Sequence, residues 1–139
     1  MTLCVLDASV ALSWGFEDKT SPYAEKVVEA FKTQSALVPP IWPIEIINVL
    51  VVAVRRRRYR EVDAMRLLTV LDTLPLEIDR EIARDALAQR VLGLALTQSL
   101  TAYDASYLEL AMRRGLPLAT QDERLARAAA AAGVAILQP

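Results

Sequence analysis

Histidine is absent from the chain and cysteine occurs once, at Cys4. A Ser-His-Asp triad, a Cys-His pair, an imidazole acid/base pair and a Cys/His zinc site are therefore all excluded. Carboxylates are the main reactive groups left. Asp7, Glu45, Asp104 and Asp122 occupy comparable places, each at the C-terminal end of a predicted strand or in the first turn of a predicted helix. In an open parallel sheet, ligands bind in the crevice outside the carboxyl ends of the strands, so these acids can converge there. Asn48 follows Glu45 by three residues on the same helix face and is a candidate for the same site. Two carboxylates about 5 Å apart repel by roughly 3 kcal/mol at an effective dielectric of about 20, so a bare cluster must take up protons or a cation. With oxygen ligands alone the expected ion is hard, Mg²⁺ or Mn²⁺ rather than Zn²⁺. Such an ion keeps several waters, polarises a phosphoryl group and activates water for attack, which points to phosphodiester hydrolysis.

The same acids have a second explanation, as helix caps. Thr101-x-x-Asp104 resembles a capping box with Asp in place of Glu, Thr120-x-x-Glu123 fits the box directly, and Glu45 in a first turn favours the helix dipole. Asp7 is the hardest to explain this way. An acid that closes a buried strand is costly unless it faces a crevice or is paired.

The elements that must position these groups follow from hydrophobic spacing. Leu3 to Leu6 is apolar on consecutive positions and reads as a strand buried on both faces. Ser21-Pro22 starts a helix that carries Tyr23, Ala24, Val27, Val28 and Phe31 on one face. Ala36 to Val38 is a second strand, and Pro43 opens a helix burying Ile46, Ile47, Leu50, Val51 and Val54. A helix over Glu61 to Leu74 precedes a strand at Leu76 to Ile78. Ile82, Ala86, Leu87, Val91 and Leu94 then repeat helically. Thr101 begins a helix ending at Arg113-Arg114-Gly115, with cations in the last turn and glycine beyond it. Leu116 to Ala119 reads as a strand, Asp122 to Ala132 as a helix closed by Gly133, and Val134 to Leu137 as a last strand. The alternation of elements predicts an α/β fold.

The 139 residues are the size of one domain, and no shift of composition marks a linker within 1–139. At 54% hydrophobic and 24% charged, the chain can fill a core and leave apolar surface for a partner. A formal charge of −1 removes gross attraction to nucleic acid, so any such contact must be local. Arg55, Arg56, Arg57 and Arg58 end the helix that starts beside Glu45 and are the candidates for phosphate contacts; as cations at a helix C-terminus they are also favourable on their own account. Trp14 and Trp42 flank the first two acids, suited to core packing and also to stacking a base or anchoring a partner. A lone cysteine fits a reducing cytoplasm, and neither a signal segment nor a membrane-spanning run is expected.

The runs Val5-Leu6-Asp7-Ala8-Ser9-Val10, Pro43-Ile44-Glu45-Ile46-Ile47-Asn48-Val49-Leu50, Thr101-Ala102-Tyr103-Asp104-Ala105-Ser106-Tyr107-Leu108 and Leu118-Ala119-Thr120-Gln121-Asp122-Glu123-Arg124-Leu125 resemble the PIN-domain ribonucleases. The resemblance is nearest to VapC-type toxins of toxin–antitoxin pairs. It spans essentially the whole chain, with four motifs in family order. It implies a three-layer α/β/α sandwich around a parallel sheet and a metal-dependent endoribonuclease. By the same resemblance Asp7, Glu45, Asp104 and Asp122 are the quartet that holds Mg²⁺ or Mn²⁺. Ser9 and Thr120 match hydroxyl residues that orient ligands or metal waters, and Glu123 is a candidate to share or replace the role of Asp122. The implied partners are an RNA substrate, a small VapB-type antitoxin and a second copy of the chain.

The competing reading is a PIN-like interaction module without turnover, against which the full set of acids argues. A phosphoacceptor receiver would need a lysine near its last strand, and none follows Lys32. A P-loop is excluded because Gly-x-x-x-x-Gly-Lys does not occur.

Overall fold

The computed structural model describes residues 1–81 and 84–139, without the side chain of Ala86. Four strands, β1 (Thr2–Leu6), β2 (Ser35–Val38), β3 (Leu76–Ile78) and β4 (Leu118–Ala119), form one parallel sheet in the order β3-β2-β1-β4. The two inner strands read as uninterrupted apolar runs because helices cover both faces. Cys4, Val5 and Leu6 of β1, with Ala36 and Val38 of β2, are fully enclosed. Burial pushes the unpaired Cys4 thiol up to about 12.

The helices are α1 (Ala8–Ser13), α2 (Pro22–Ala30), α3 (Trp42–Arg55), α4 (Glu61–Asp72), α5 (Arg84–Ala86), α6 (Leu92–Gln98), α7 (Ala102–Arg114) and α8 (Glu123–Ala131). This is the expected α/β/α arrangement, with α7 packed against β1 and β4. The starts and stops follow local chemistry. The Ser21 hydroxyl accepts from the Ala24 amide, with Pro22 just inside α2; Thr101 does the same for Asp104 in α7, and Gly115 closes that helix at φ 63°.

The structure departs from the sequence-based expectations in five places, one of them Ile47, which the helical spacing of α3 predicts as buried and which lies 42% exposed because that helix is apolar on more sides than the core covers. Helix α1 is unexpected: at six residues it completes fewer than two turns, too little for apolar periodicity to show. The helix expected from Glu81 onward is broken, α5 leading through a π turn at Leu87–Val91 into α6; Ile82, part of that expectation, lies outside the described residues. The strand expected at Leu116 to Ala119 shrinks to Leu118–Ala119. The last expected strand reduces to a single bridge from Ile136 to Leu118, because a two-residue edge strand following Pro117 offers little to pair with. Trp42 is a core residue, and Trp14 is half-buried against the core. Trp14 donates to the Ala24 carbonyl at 2.9 Å and meets Phe31 edge-on, and Trp42 is 9% exposed.

The strand order places the site. The chain builds outward from β1 through β2 to β3, then returns to add β4 on the other side of β1, so the order reverses between β1 and β4. At such a switch point the connections leave in opposite directions and open a crevice at the carboxyl ends of the strands.

Candidate functional site

Asp7 is the first residue past β1 and Thr120 the first past β4. The strands pair Leu6 with Ala119, and the Asp7 amide donates to the Ala119 carbonyl at 2.9 Å, so the two side chains emerge next to each other at the switch point. Asp7 sits at the N-cap of α1 without capping it. Its carboxylate instead accepts the hydroxyls of Ser9 and Thr120, both at 2.7 Å to Oδ2. Thr120 Oγ1 in turn accepts the Asp122 amide at 3.0 Å, and Ser9 Oγ accepts the Gln121 amide at 3.1 Å. The turn after β4 is thereby tied to the turn after β1.

Asp7, Glu45, Asp104 and Asp122 line one hollow of about 430 Å³, with Ser9, Val49 and Lys19 among their neighbours. Glu45 comes from the first turn of α3, and its Oε1 accepts the Tyr107 hydroxyl at 2.6 Å. Tyr107 lies one turn beyond Asp104 on α7, fully buried, so one helix supplies an acid of the hollow and the donor that steadies a second. Asp122 caps α8 by accepting the Leu125 amide at 3.0 Å. Capping and lining the hollow are thus the same placement for Asp122, and the Thr101 cap likewise orients the turn that carries Asp104.

The carboxylates feel one another. Burial raises the pKa of Asp7, with Asp122 adding to the rise and the two hydroxyls opposing it. Burial also raises that of Glu45; the Tyr107 hydrogen bond counters this, and Asp7 and Asp104 reinforce it. Asp104 is pushed up to about 6, by burial and then by Asp7 and Asp122. Protons and cations are what such a set attracts. Among the described residues no three Asp, Glu or Cys side chains are gathered tightly enough to hold an ion directly, so the acids border the hollow without closing on one point. These four are the side chains that could hold a metal, and their donors are all oxygen.

Other predicted residues fall elsewhere. Asn48 is exposed and does not line the hollow; Val49, four residues from Glu45, takes that side of α3. Glu123 is exposed outside it. The capping box read at Thr120-x-x-Glu123 is not formed, because the N-cap is Asp122. Arg55 to Arg58 lie exposed at the far end of α3, and Arg58 lines a different hollow. Tyr107 was not among the residues singled out from the sequence, although its spacing of three from Asp104 put both on one helix face.

A parallel α/β sheet with acids gathered at its switch point defines a class of α/β domain with an acidic ligand crevice, and its family follows from the match below. Residues 4–131 match the PIN domain, and the chain belongs to that family, whose members are generally nucleases. Among solved structures, the chain is similar to the crystal structure of PAE2754 from Pyrobaculum aerophilum, with 24% identity over 91% of this chain and 84% of that one and a TM-score of 0.69. It is also similar to a toxin–antitoxin complex from Klebsiella pneumoniae, with 21% identity, 86% of each chain covered and a TM-score of 0.57. At these identities the likeness is one of fold. No curated protein matches the chain.

Proposed function

We propose that the chain is a Mg²⁺- or Mn²⁺-dependent endoribonuclease acting as the VapC-type toxin of a type II toxin–antitoxin pair. The observation that carries this reading is the shared hollow: four carboxylates from separate parts of the chain line it, and three have raised pKa values. The all-oxygen donor set fits a hard dication, and the hollow is wide enough for one that retains part of its water shell. Asp7, Glu45, Asp104 and Asp122 would hold it. When bound, it supplies Lewis acidity toward a phosphodiester and activates water. Ser9 and Thr120 fix the Asp7 carboxylate, and Tyr107 fixes that of Glu45, leaving lone pairs of each for a ligand.

Membership of the PIN family supports hydrolysis, and the likeness to a toxin–antitoxin complex supports a small antitoxin as partner. A second copy of the chain is the other partner: Ile44 and Ile47 are 61% and 42% exposed on one face of α3, a helix apolar nearly all round. No helix among the described residues is long and apolar enough to cross a membrane. The second reading is a PIN-like interaction module without turnover, favoured by the absence of a tight three-acid group among the described residues.

One experiment separates the two. Purified, antitoxin-free protein is incubated with total RNA with and without Mn²⁺, and its melting temperature is measured in parallel. Discrete fragments only in the metal lane, with a rise in melting temperature, are expected. Equal lanes across several RNA sources, with no thermal shift, would select the module.

A further inference from the structure

Between Leu12 and Lys19 the chain passes from one hollow to another. Leu12 and Lys19 line the acidic hollow, whereas Trp14 to Asp18 line a larger one of about 680 Å³ that α4 and the connection leading into it from α3 close from the other side. The 3₁₀ turn Glu17–Lys19 is therefore a wall common to both. Lys19 is exposed at the rim of a hollow lined by four carboxylates, yet it forms no ion pair among the described residues. Its ammonium stands 5.2 Å from the centre of the ring of Phe16, a residue of the larger hollow.

The larger hollow has a preformed aromatic floor. Phe16 and Tyr59 stack with centroids 4.5 Å apart and planes 29° from parallel. The Tyr59 hydroxyl donates to the Gly15 carbonyl at 2.7 Å, which fixes the ring before any ligand arrives. Arg58, beside it, has no ion pair among the described residues, whereas Asp63 holds Arg60 at 2.8 Å and Arg66 at 3.8 Å. Glu17, Asp18 and Asp63 offset the charge of the three arginines. A nucleobase needs a ring to stack on rather than net charge, so it suits this hollow better than an acidic peptide does.

We propose that the larger hollow is a subsite for the nucleotide next to the one held over the acids. Its base extends the Phe16–Tyr59 stack, Arg58 meets its phosphate, and Lys19 meets the phosphate that crosses the wall. The proposal rests on the nuclease reading above and extends it to the substrate's path.

The test is fluorescence anisotropy on protein made cleavage-dead by Asp104→Asn, with two labelled probes, a uridine dinucleotide and a longer oligouridylate. Tyr59→Leu and Arg58→Gln are each expected to lower affinity for the oligomer by about tenfold and to remove most of its advantage over the dinucleotide. Arg58→Gln is also expected to flatten the dependence of log affinity on log salt by about 0.7, a readout that a purely structural role would not move. If Tyr59→Leu does not fold, Arg58→Gln carries the test alone. Folded variants that keep both oligomer affinity and salt slope would overturn the subsite and leave the hollow to a protein partner. Cleavage of the oligomer by wild type in Mn²⁺ is scored separately, so a failed nuclease reading and a failed subsite give different results.

Discussion

Asp7 is the most deeply buried of the four acids that line the hollow. It is 4% exposed, and two hydroxyls compensate its burial while Asp122 adds to its cost. Replacing an acid of the hollow therefore has opposite effects on function and on metal-free stability. Asp7→Asn and Asp104→Asn are expected to reduce RNA cleavage to background while leaving the melting temperature in chelator unchanged or higher. For Asp104 the sign follows from linkage. Its folded pKa is raised from 3.8 to about 6, so the folded state holds the proton more tightly, and stability falls as pH climbs between those values. Solvent exposure of this half-buried group limits the loss to about 1–2 kcal/mol. Urea titrations in chelator at pH 4.5 and pH 7.5 should show that loss in wild type and a flatter profile in Asp104→Asn. Tyr107 is a positioning residue that acts through Glu45. Tyr107→Phe is expected to lower kcat/KM about ten- to a hundredfold, as for outer hydrogen-bond partners of ligands. Because its hydrogen bond holds the Glu45 pKa down, the acid limb of the pH–rate profile should move upward in the same variant.

At the scale of elements, the end of β3 is joined to α7 by a buried ion network. Arg113 donates to both oxygens of Asp79, at 2.6 and 3.3 Å, and its Nε donates to Glu109 at 2.9 Å; the two acids are each 2% exposed. The sequence had presented Arg113 and Arg114 together as a cationic helix end. Arg114 keeps an exposed contact with Glu81, whereas Arg113 turns inward. Arg113→Met leaves Asp79 buried without its cation and Glu109 with only Arg90 at 3.8 Å, and is expected to cost about 3–5 kcal/mol in a urea titration at neutral pH. Burial alone would raise the Asp79 pKa, but the Arg113 bonds and charge hold it below the ordinary value. Its stabilising contribution is therefore present above the unfolded pKa, near 3.8, and disappears as pH falls through the lower folded value. Since α7 also carries Asp104 and Tyr107, the network sets the register of the helix that serves the site.

At the scale of the whole molecule, the apolar face of α3 leaves Ile44 and Ile47 in solvent on either side of Glu45 in the sequence. Burying that face against a second copy would remove the exposed patch close to the hollow's rim. Light scattering is expected to give twice the chain mass for wild type and a single chain mass for Ile44→Asp/Ile47→Asp; a monomeric wild type would remove the homodimer from the proposal.

Much of this was legible along the chain. Consecutive apolar residues marked the inner strands, and Ser21-Pro22, Thr101 and Gly115 marked helix ends, because these features depend on neighbours within about one turn. The four acids were legible as a set because each sits at an element boundary. What the chain could not express is distance through space: that Tyr107 reaches Glu45 across 62 positions, that Thr120 reaches Asp7 across 113, that Asn48 turns away, and that Arg113 buries itself against Asp79. Local spacing determines which elements form and which side chains stand at their ends. Strand order and helix rotation decide which of those ends meet, because they are set by packing the whole core at once.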